Sequence, residues 1–146
     1  MKIGLIGAGR LGICLALLIE KAGYEVLASD NRVDYVNNLQ KGIIDTAEPE
    51  VQQYLSNAKN IEFTTDNIRV IAECDLIFTL VATPSLADGS YDVSAVWKVI
   101  NDFKDIPILL EGKSLVVGCT TNPGDCNDFQ EALKDTGIDI FYNPEF

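Results

Sequence analysis

No histidine occurs anywhere in the 146 residues, and the four cysteines (Cys14, Cys74, Cys119 and Cys126) form no CxxC pair. The first absence rules out a histidine-based catalytic triad and a mixed cysteine–histidine zinc site. The cysteine spacing serves an all-cysteine zinc site poorly, so no metal is expected. The thiols read as reduced side chains of a cytoplasmic protein. No apolar run approaches the roughly 20 residues that a membrane-spanning helix needs. The opening MKIGLIGAG is too short an apolar stretch for a secretory signal, and glycines interrupt it at once. Basic residues are also scarce: 11 against 22 acidic ones, a formal net charge of -11. A surface of that sign repels phosphate backbones and anionic lipids, which argues against nucleic-acid and membrane partners. An anionic small ligand is still admissible, because backbone N–H groups in a local pocket can override the net field.

What is present is a core-forming composition, 47% hydrophobic and 23% charged, ordinary for one domain. Short apolar runs alternate with helical patterns throughout. Strands are expected at 3–6, 25–29, 61–64, 76–81, 115–117 and 138–141. Helices are expected at 11–22, 33–39, from about Pro49, after a cap at Asp66, at 93–103 and at 125–134. Residues 82–92 carry Pro84, Asp88-Gly89 and Ser90 and read as loop. Leu76 to Val81 is apolar without alternation, as in a parallel strand covered on both faces. The pattern predicts an α/β fold: a doubly wound, mainly parallel six-stranded sheet with helices on both faces, one domain over residues 1–146.

Gly7-Ala8-Gly9-Arg10-Leu11-Gly12 is a G-x-G-x-x-G run that leaves a strand and opens a helix. In that setting the first glycine permits a tight turn and the second lets backbone approach a pyrophosphate. The third lets helix and strand pack closely, while the helix N-terminus offers free N–H donors. A turn that binds nothing is the competing reading. Asp30 ends the second strand, 18 residues after Gly12. There an acidic side chain accepts hydrogen bonds from an adenosine ribose, which favours NAD over NADP. Arg32 keeps the second choice open, since an arginine beside that position can meet a 2′-phosphate. Val81-Ala82-Thr83-Pro84 and Cys119-Thr120-Thr121 leave the fourth and fifth strands, whose ends border the ligand crevice of such sheets. On position alone, Glu145 reads as a solvated terminal residue. Cys126, near a helix start, is a candidate for a lowered pKa but lacks a histidine base.

Taken in order, these pieces resemble the N-terminal domain of the UDP-glucose/GDP-mannose 6-dehydrogenase family. The matching residues are MKIGLIGAGRLG, Asp30, Glu48-Pro49, Thr83-Pro84-Ser85 with Asp88-Gly89-Ser90-Tyr91-Asp92, Thr120 with Pro123-Gly124, and Asn143-Pro144-Glu145-Phe146. The resemblance implies a Rossmann fold and NAD-dependent oxidation of a nucleotide-sugar C6 alcohol to a carboxylate in two hydride transfers. UDP-glucose is the nearer substrate. By motif match, residues Gly7, Ala8, Gly9, Arg10, Leu11, Gly12, Asp30, Val81, Ala82, Thr83, Cys119, Thr120 and Thr121 would hold the cofactor. Thr120 and Glu145 would serve catalysis, and Glu145 and Phe146 would meet the substrate. The chain departs from the family at Arg10-Leu11 (usually Tyr-Val), at Ala82 (often Asn) and at Tyr35 (often basic). Cys119 to Asn122 stands where Ser-Thr-Val-Pro is usual. The family's catalytic cysteine, its lysine and its nucleotide-sugar clamp come after Phe146. The 146 residues alone are therefore expected to be inactive, while the full-length enzyme is expected to dimerise. A stand-alone NAD-sensing regulatory module without catalysis is the alternative.

Overall fold

Side chains along a strand point alternately to opposite faces of a sheet, and β1 (Lys2–Ile6) shows what that builds. Ile3 and Leu5 join one buried cluster, Ile6 the other. Between them, Gly4 leaves room for a helix: a Cβ there would lie 2.7 Å from Val70 Cγ1 and 3.0 Å from Cys74 Cβ. The computed structural model describes residues 1–106 and 110–145. The other strands are β2 (Glu25–Ser29), β3 (Ile61–Thr64), β4 (Leu76–Thr79), β5 (Ser114–Val117) and β6 (Asp139–Tyr142). The helices are α1 (Arg10–Lys21), α2 (Val33–Gln40), α3 (Val51–Asn57), α4 (Asn67–Glu73), α5 (Ser94–Lys104) and α6 (Asp125–Ala132).

The sheet order is β3-β2-β1-β4-β5-β6, and every pairing is parallel. Parallel strands need crossovers, and the helices that supply them cover both faces. On one face, Ile13 and Leu17 of α1 pack with Val36 and Leu39 of α2 and Val51 and Leu55 of α3. On the other, Val70 and Ile71 of α4 meet Val96, Ile100 and Phe103 of α5 and Phe129 of α6. Trp97, only partly buried, meets the Phe129 ring edge-on at 4.9 Å. Each large apolar side chain buried in this way contributes about 1.5 to 3 kcal/mol. Among the described residues no helix is long and apolar enough to cross a membrane.

The boundaries shift where backbone geometry overrides the apolar pattern. Helix α3 starts at Val51 rather than Pro49, because Glu50 takes a left-handed conformation (φ 64°). Asp66 caps α4 as expected, accepting from Arg69 N at 3.1 Å. Strand β4 ends at Thr79, two residues early: Leu80 N still donates to Ile6 O at 2.8 Å, and then the chain turns away. The 82–92 loop contains a small hairpin, with Leu86 N donating to Ser90 O at 2.7 Å and an antiparallel bridge between Ser85 and Tyr91.

From β1 the chain crosses to β2 on one side, and from β4 it crosses to β5 on the other. The crossovers therefore diverge at the C-terminal ends of β1 and β4. That divergence opens the crevice in which open α/β sheets bind ligands.

Candidate functional site

The crevice is a cleft of about 740 Å³ with the glycine run at its centre. Gly7 leaves β1 with φ 102°, and a Cβ on it would sit 2.6 Å from Leu80 O. A Cβ on Gly12 would lie 2.0 Å from Gly7 O, so its bare Cα lets α1 rest directly on the turn. Gly9 differs: a Cβ there would meet nothing within 4 Å. The space above Gly9 is open, and the glycine keeps it open.

Gly9 is also the N-cap of α1, which has no side-chain cap and no acidic residue in its first turn. The first intrahelical bond runs from Ile13 N to Gly9 O. The N–H groups of Arg10, Leu11 and Gly12 thus precede the helical ladder and can serve an anion. Gly7 N and Ala8 N both donate to Ser29 O, at 2.9 and 3.0 Å, which fixes the turn to the end of β2.

Asp30 follows β2 and faces the same cleft, its side chain only 8% exposed. Burial works against its charge, and the hydrogen bonds and charge of Arg32 overcome that, holding the carboxyl below the usual aspartate range. Arg32 N and Nε donate to Asp30 Oδ1 at 3.1 and 2.7 Å, and Nη2 donates to Oδ2 at 2.8 Å. The guanidinium lies 4.0 Å over the Tyr35 ring, and the Tyr35 hydroxyl donates to Ala8 O at 2.9 Å. The second-strand acid, its arginine and the glycine loop are therefore linked into one wall.

These contacts fit NAD on its own terms: uncapped N–H groups beside empty space for a pyrophosphate, and a buried ionised carboxylate where a ribose would lie. Gly7, Gly9, Arg10, Leu11, Gly12, Asp30, Val81 and Ala82 all line the one cleft. Ala8 does not; its side chain is fully buried beneath the loop. Thr83, Cys119, Thr120 and Thr121 lie beyond the cleft lining, on the loops that follow β4 and β5. Glu145 is held near them, its N–H donating to Gly118 O at 2.9 Å and its Oε1 accepting from Asn143 Nδ2 at 3.0 Å. Phe146 lies outside the described residues.

Several cleft residues carry no sequence signal. Asn67, at the start of α4, and Lys98 and Asp102, on α5, line the side opposite the glycine loop. Ser29 Oγ donates to Asn67 Oδ1 at 2.7 Å, and Asn67 Nδ2 donates to Asp102 Oδ2 at 2.8 Å. This chain of bonds ties β2, α4 and α5 together across the sheet. Asn122, which stands where the resembled family usually has proline, brackets the backbone of Tyr91: Tyr91 N donates to its Oδ1 at 2.7 Å and its Nδ2 donates to Tyr91 O at 3.0 Å.

None of the four cysteines is activated. Burial pushes Cys74 and Cys119 up to about 11 and raises Cys14 as well. The lowered value considered for Cys126 is overturned, since burial raises it despite its place in the first turn of α6 and the Thr121 hydroxyl beside it.

Comparison with known proteins agrees with this geometry. The sequence matches the UDP-glucose/GDP-mannose dehydrogenase family, NAD binding domain, over residues 1–146. A UDP-glucose 6-dehydrogenase of Rhizobium meliloti (strain 1021) is 29% identical over 155 residues, covering 100% of this chain and 35% of the relative. The structure of a UDP-glucose dehydrogenase from the archaeon Pyrobaculum islandicum superposes with a TM-score of 0.89 at 25% identity, covering 99% of this chain and 36% of that one. A GDP-mannose dehydrogenase from Pseudomonas aeruginosa shares the fold at TM-score 0.88 and 24% identity, over 100% of this chain and 36% of that one. The chain spans about a third of the length of the UDP-glucose 6-dehydrogenases it matches. The match runs over the whole chain, and with its glycine loop and six parallel strands the chain belongs to the UDP-glucose/GDP-mannose dehydrogenase family as its NAD-binding domain.

Proposed function

We propose that this chain is the cofactor-holding part of an enzyme that oxidises the C6 alcohol of a UDP-sugar, UDP-glucose first among them, to the carboxylate. The observation that carries the reading is the meeting, in one cleft, of the uncapped start of α1, the open space over Gly9 and the ionised Asp30. In this reading the N–H groups of Arg10 to Gly12 hold the pyrophosphate and Asp30 holds the adenosine ribose. Val81, Ala82, Thr83 and residues 119–121 border the nicotinamide end. NAD, when bound, supplies the hydride acceptor for both oxidation steps. The chain's contribution is to fix that acceptor's position, and positioning alone lowers such barriers by several kcal/mol.

Thr120 and Glu145 are assigned to the reaction side, at the ends of β5 and β6. The bond from Glu145 N to Gly118 O keeps the glutamate against the end of β5, and Asn143 steadies its carboxylate. The pair suits placing a water and taking its proton. The thioester step implied by the family resemblance needs a thiolate, and burial raises the pKa of all four thiols here. The reading therefore assigns that cysteine, with the sugar-nucleotide clamp, to sequence beyond this chain. The working enzyme is read as a cytoplasmic homodimer.

Titration calorimetry of the 146-residue chain with NAD tests the binding part. One saturable site is expected, weakened about tenfold or more in D30A. No binding, or binding indifferent to D30A, overturns it. Steady NAD-dependent oxidation of UDP-glucose by this chain alone would overturn the division of labour.

A further inference from the structure

The pairing of Asp30 leaves it poorly prepared for the ligand it is assigned. Each carboxylate oxygen has two lone pairs. Oδ1 already accepts both Arg32 N and Arg32 Nε, and Oδ2 accepts Arg32 Nη2. A ribose diol, arriving with two O–H donors, finds one open acceptor position on Oδ2. It can gain a second only if the arginine releases a bond.

The arginine, by contrast, is well prepared for an anion. Its guanidinium spends the Nε and Nη2 edge on Asp30, which leaves Nη1 outside that pairing. The side chain is 55% exposed, and stacking on Tyr35 at 4.0 Å holds its plane. Tyr35 is in turn pinned to the glycine loop through Ala8 O. A second arginine, Arg10, lines the same cleft, and both border a smaller cavity of about 260 Å³ beside it. Helix α2 begins at Val33 without a side-chain cap, so its first N–H groups add to the positive field, against Asp34 in the same turn. The repulsion that a lone aspartate would direct at a 2′-phosphate is therefore already neutralised at close range.

We infer that Arg32 is a specificity-determining residue that opens this site to a dinucleotide carrying a 2′-phosphate on its adenosine ribose, so that the chain takes NADP as well as NAD. The inference rests on the reading that Asp30 meets the adenosine ribose of NAD. In the NADP complex the free edge of Arg32 holds the phosphate, while its other edge keeps Asp30 paired. In the NAD complex the diol takes the open position on Oδ2. Arg32 thus lowers the discrimination that Asp30 alone would impose.

The test is calorimetry with NAD and NADP on the 146-residue chain, its R32A and R32Q variants and D30A, with thermal unfolding to confirm that each is folded. The expected result is saturable NADP binding within about tenfold of NAD for the unaltered chain. R32A and R32Q should weaken NADP about tenfold or more, because a phosphate contact is removed, and should not weaken NAD, because Asp30 regains acceptor positions for the diol. R32Q keeps a polar, hydrogen-bonding side chain that is shorter and uncharged, so the same result there traces the loss to the guanidinium rather than to polarity. The inference is overturned if the unaltered chain does not bind NADP, or if both variants weaken the two nucleotides equally. The ribose reading itself is what fails if D30A leaves NAD affinity intact.

Discussion

Gly9 and Gly12 are separated by one turn of α1, and adding a methyl group should do opposite things at the two positions. In G12A the new Cβ lies 2.0 Å from Gly7 O and 3.0 Å from Gly7 C, both backbone atoms of a tight turn. The clash cannot be relieved by a rotamer change, so α1 must lift from the β1 turn. Overpacking of this kind costs about 1 to 3 kcal/mol, and for a chain of this size Tm falls by about 2 to 4 °C per kcal/mol, a drop of roughly 2 to 12 °C. In G9A the Cβ meets nothing, and the backbone (φ -64°, ψ -164°) is open to alanine. Alanine is a poorer N-cap than glycine but also restricts the unfolded chain, two effects of about 0.5 to 1 kcal/mol that oppose each other. G9A should therefore unfold within about 2 °C of the unaltered chain. Its methyl group, however, occupies the space through which a pyrophosphate would approach the N–H groups, and NAD affinity should fall about tenfold or more. Thermal unfolding with and without NAD reads both quantities. A G9A chain that binds NAD normally, or a G12A chain of undiminished stability, refutes the account of the loop.

Two further outcomes concern stability. Thr79 Oγ1 is buried without a hydrogen-bond partner among the described residues. T79V keeps the shape and removes the orphan hydroxyl, so it should stabilise by about 1 kcal/mol or more, seen as a higher Tm. Cys74 and Cys119 have folded values raised to about 11, above those of an exposed thiol. Their contribution is therefore fully present below about pH 8.5, and it is lost as pH rises through 11, roughly 2 to 3 kcal/mol for each thiol. Urea unfolding at pH 8 and pH 11 should show this loss, and a C74A/C119A variant should lose correspondingly less; an equal loss in both proteins counts against the assignment.

The sequence declared whatever depends on neighbours in the chain. The glycine spacing after an apolar run, the acid at the end of β2 and the alternation of strands and helices are local signals, and the structure places them as expected. The doubly wound class followed from that alternation and the crossover rules, whereas the strand order, with β1 between β2 and β4, comes from the structure. What could not be read were contacts between distant segments. Asn67 and Asp102 meet across 35 positions, and nothing near either announces the other. Arg32 stood out as a competitor of Asp30, yet only coordinates show both of its edges and the Tyr35 ring beneath it. For Cys126 the helix start argued for a lowered pKa and the missing histidine for a structural thiol, and its partial burial decides for a raised value.

The strand order also has a kinetic meaning. Strands β1 to β3 and β4 to β6 are each assembled by neighbouring crossovers, but the seam between them pairs residues 3–6 with residues 76–79. Closing so long a stretch of chain is the slow entropic step of such a topology, so the two halves should gain structure before they join. The cleft straddles that seam, with the glycine loop and Asp30 on one half and Val81, Lys98 and Asp102 on the other. A dinucleotide can therefore bind fully only after docking, and once bound it acts as a clasp across the join. At 100 times its Kd such a ligand adds about 2.7 kcal/mol, concentrated where the two halves would otherwise part first.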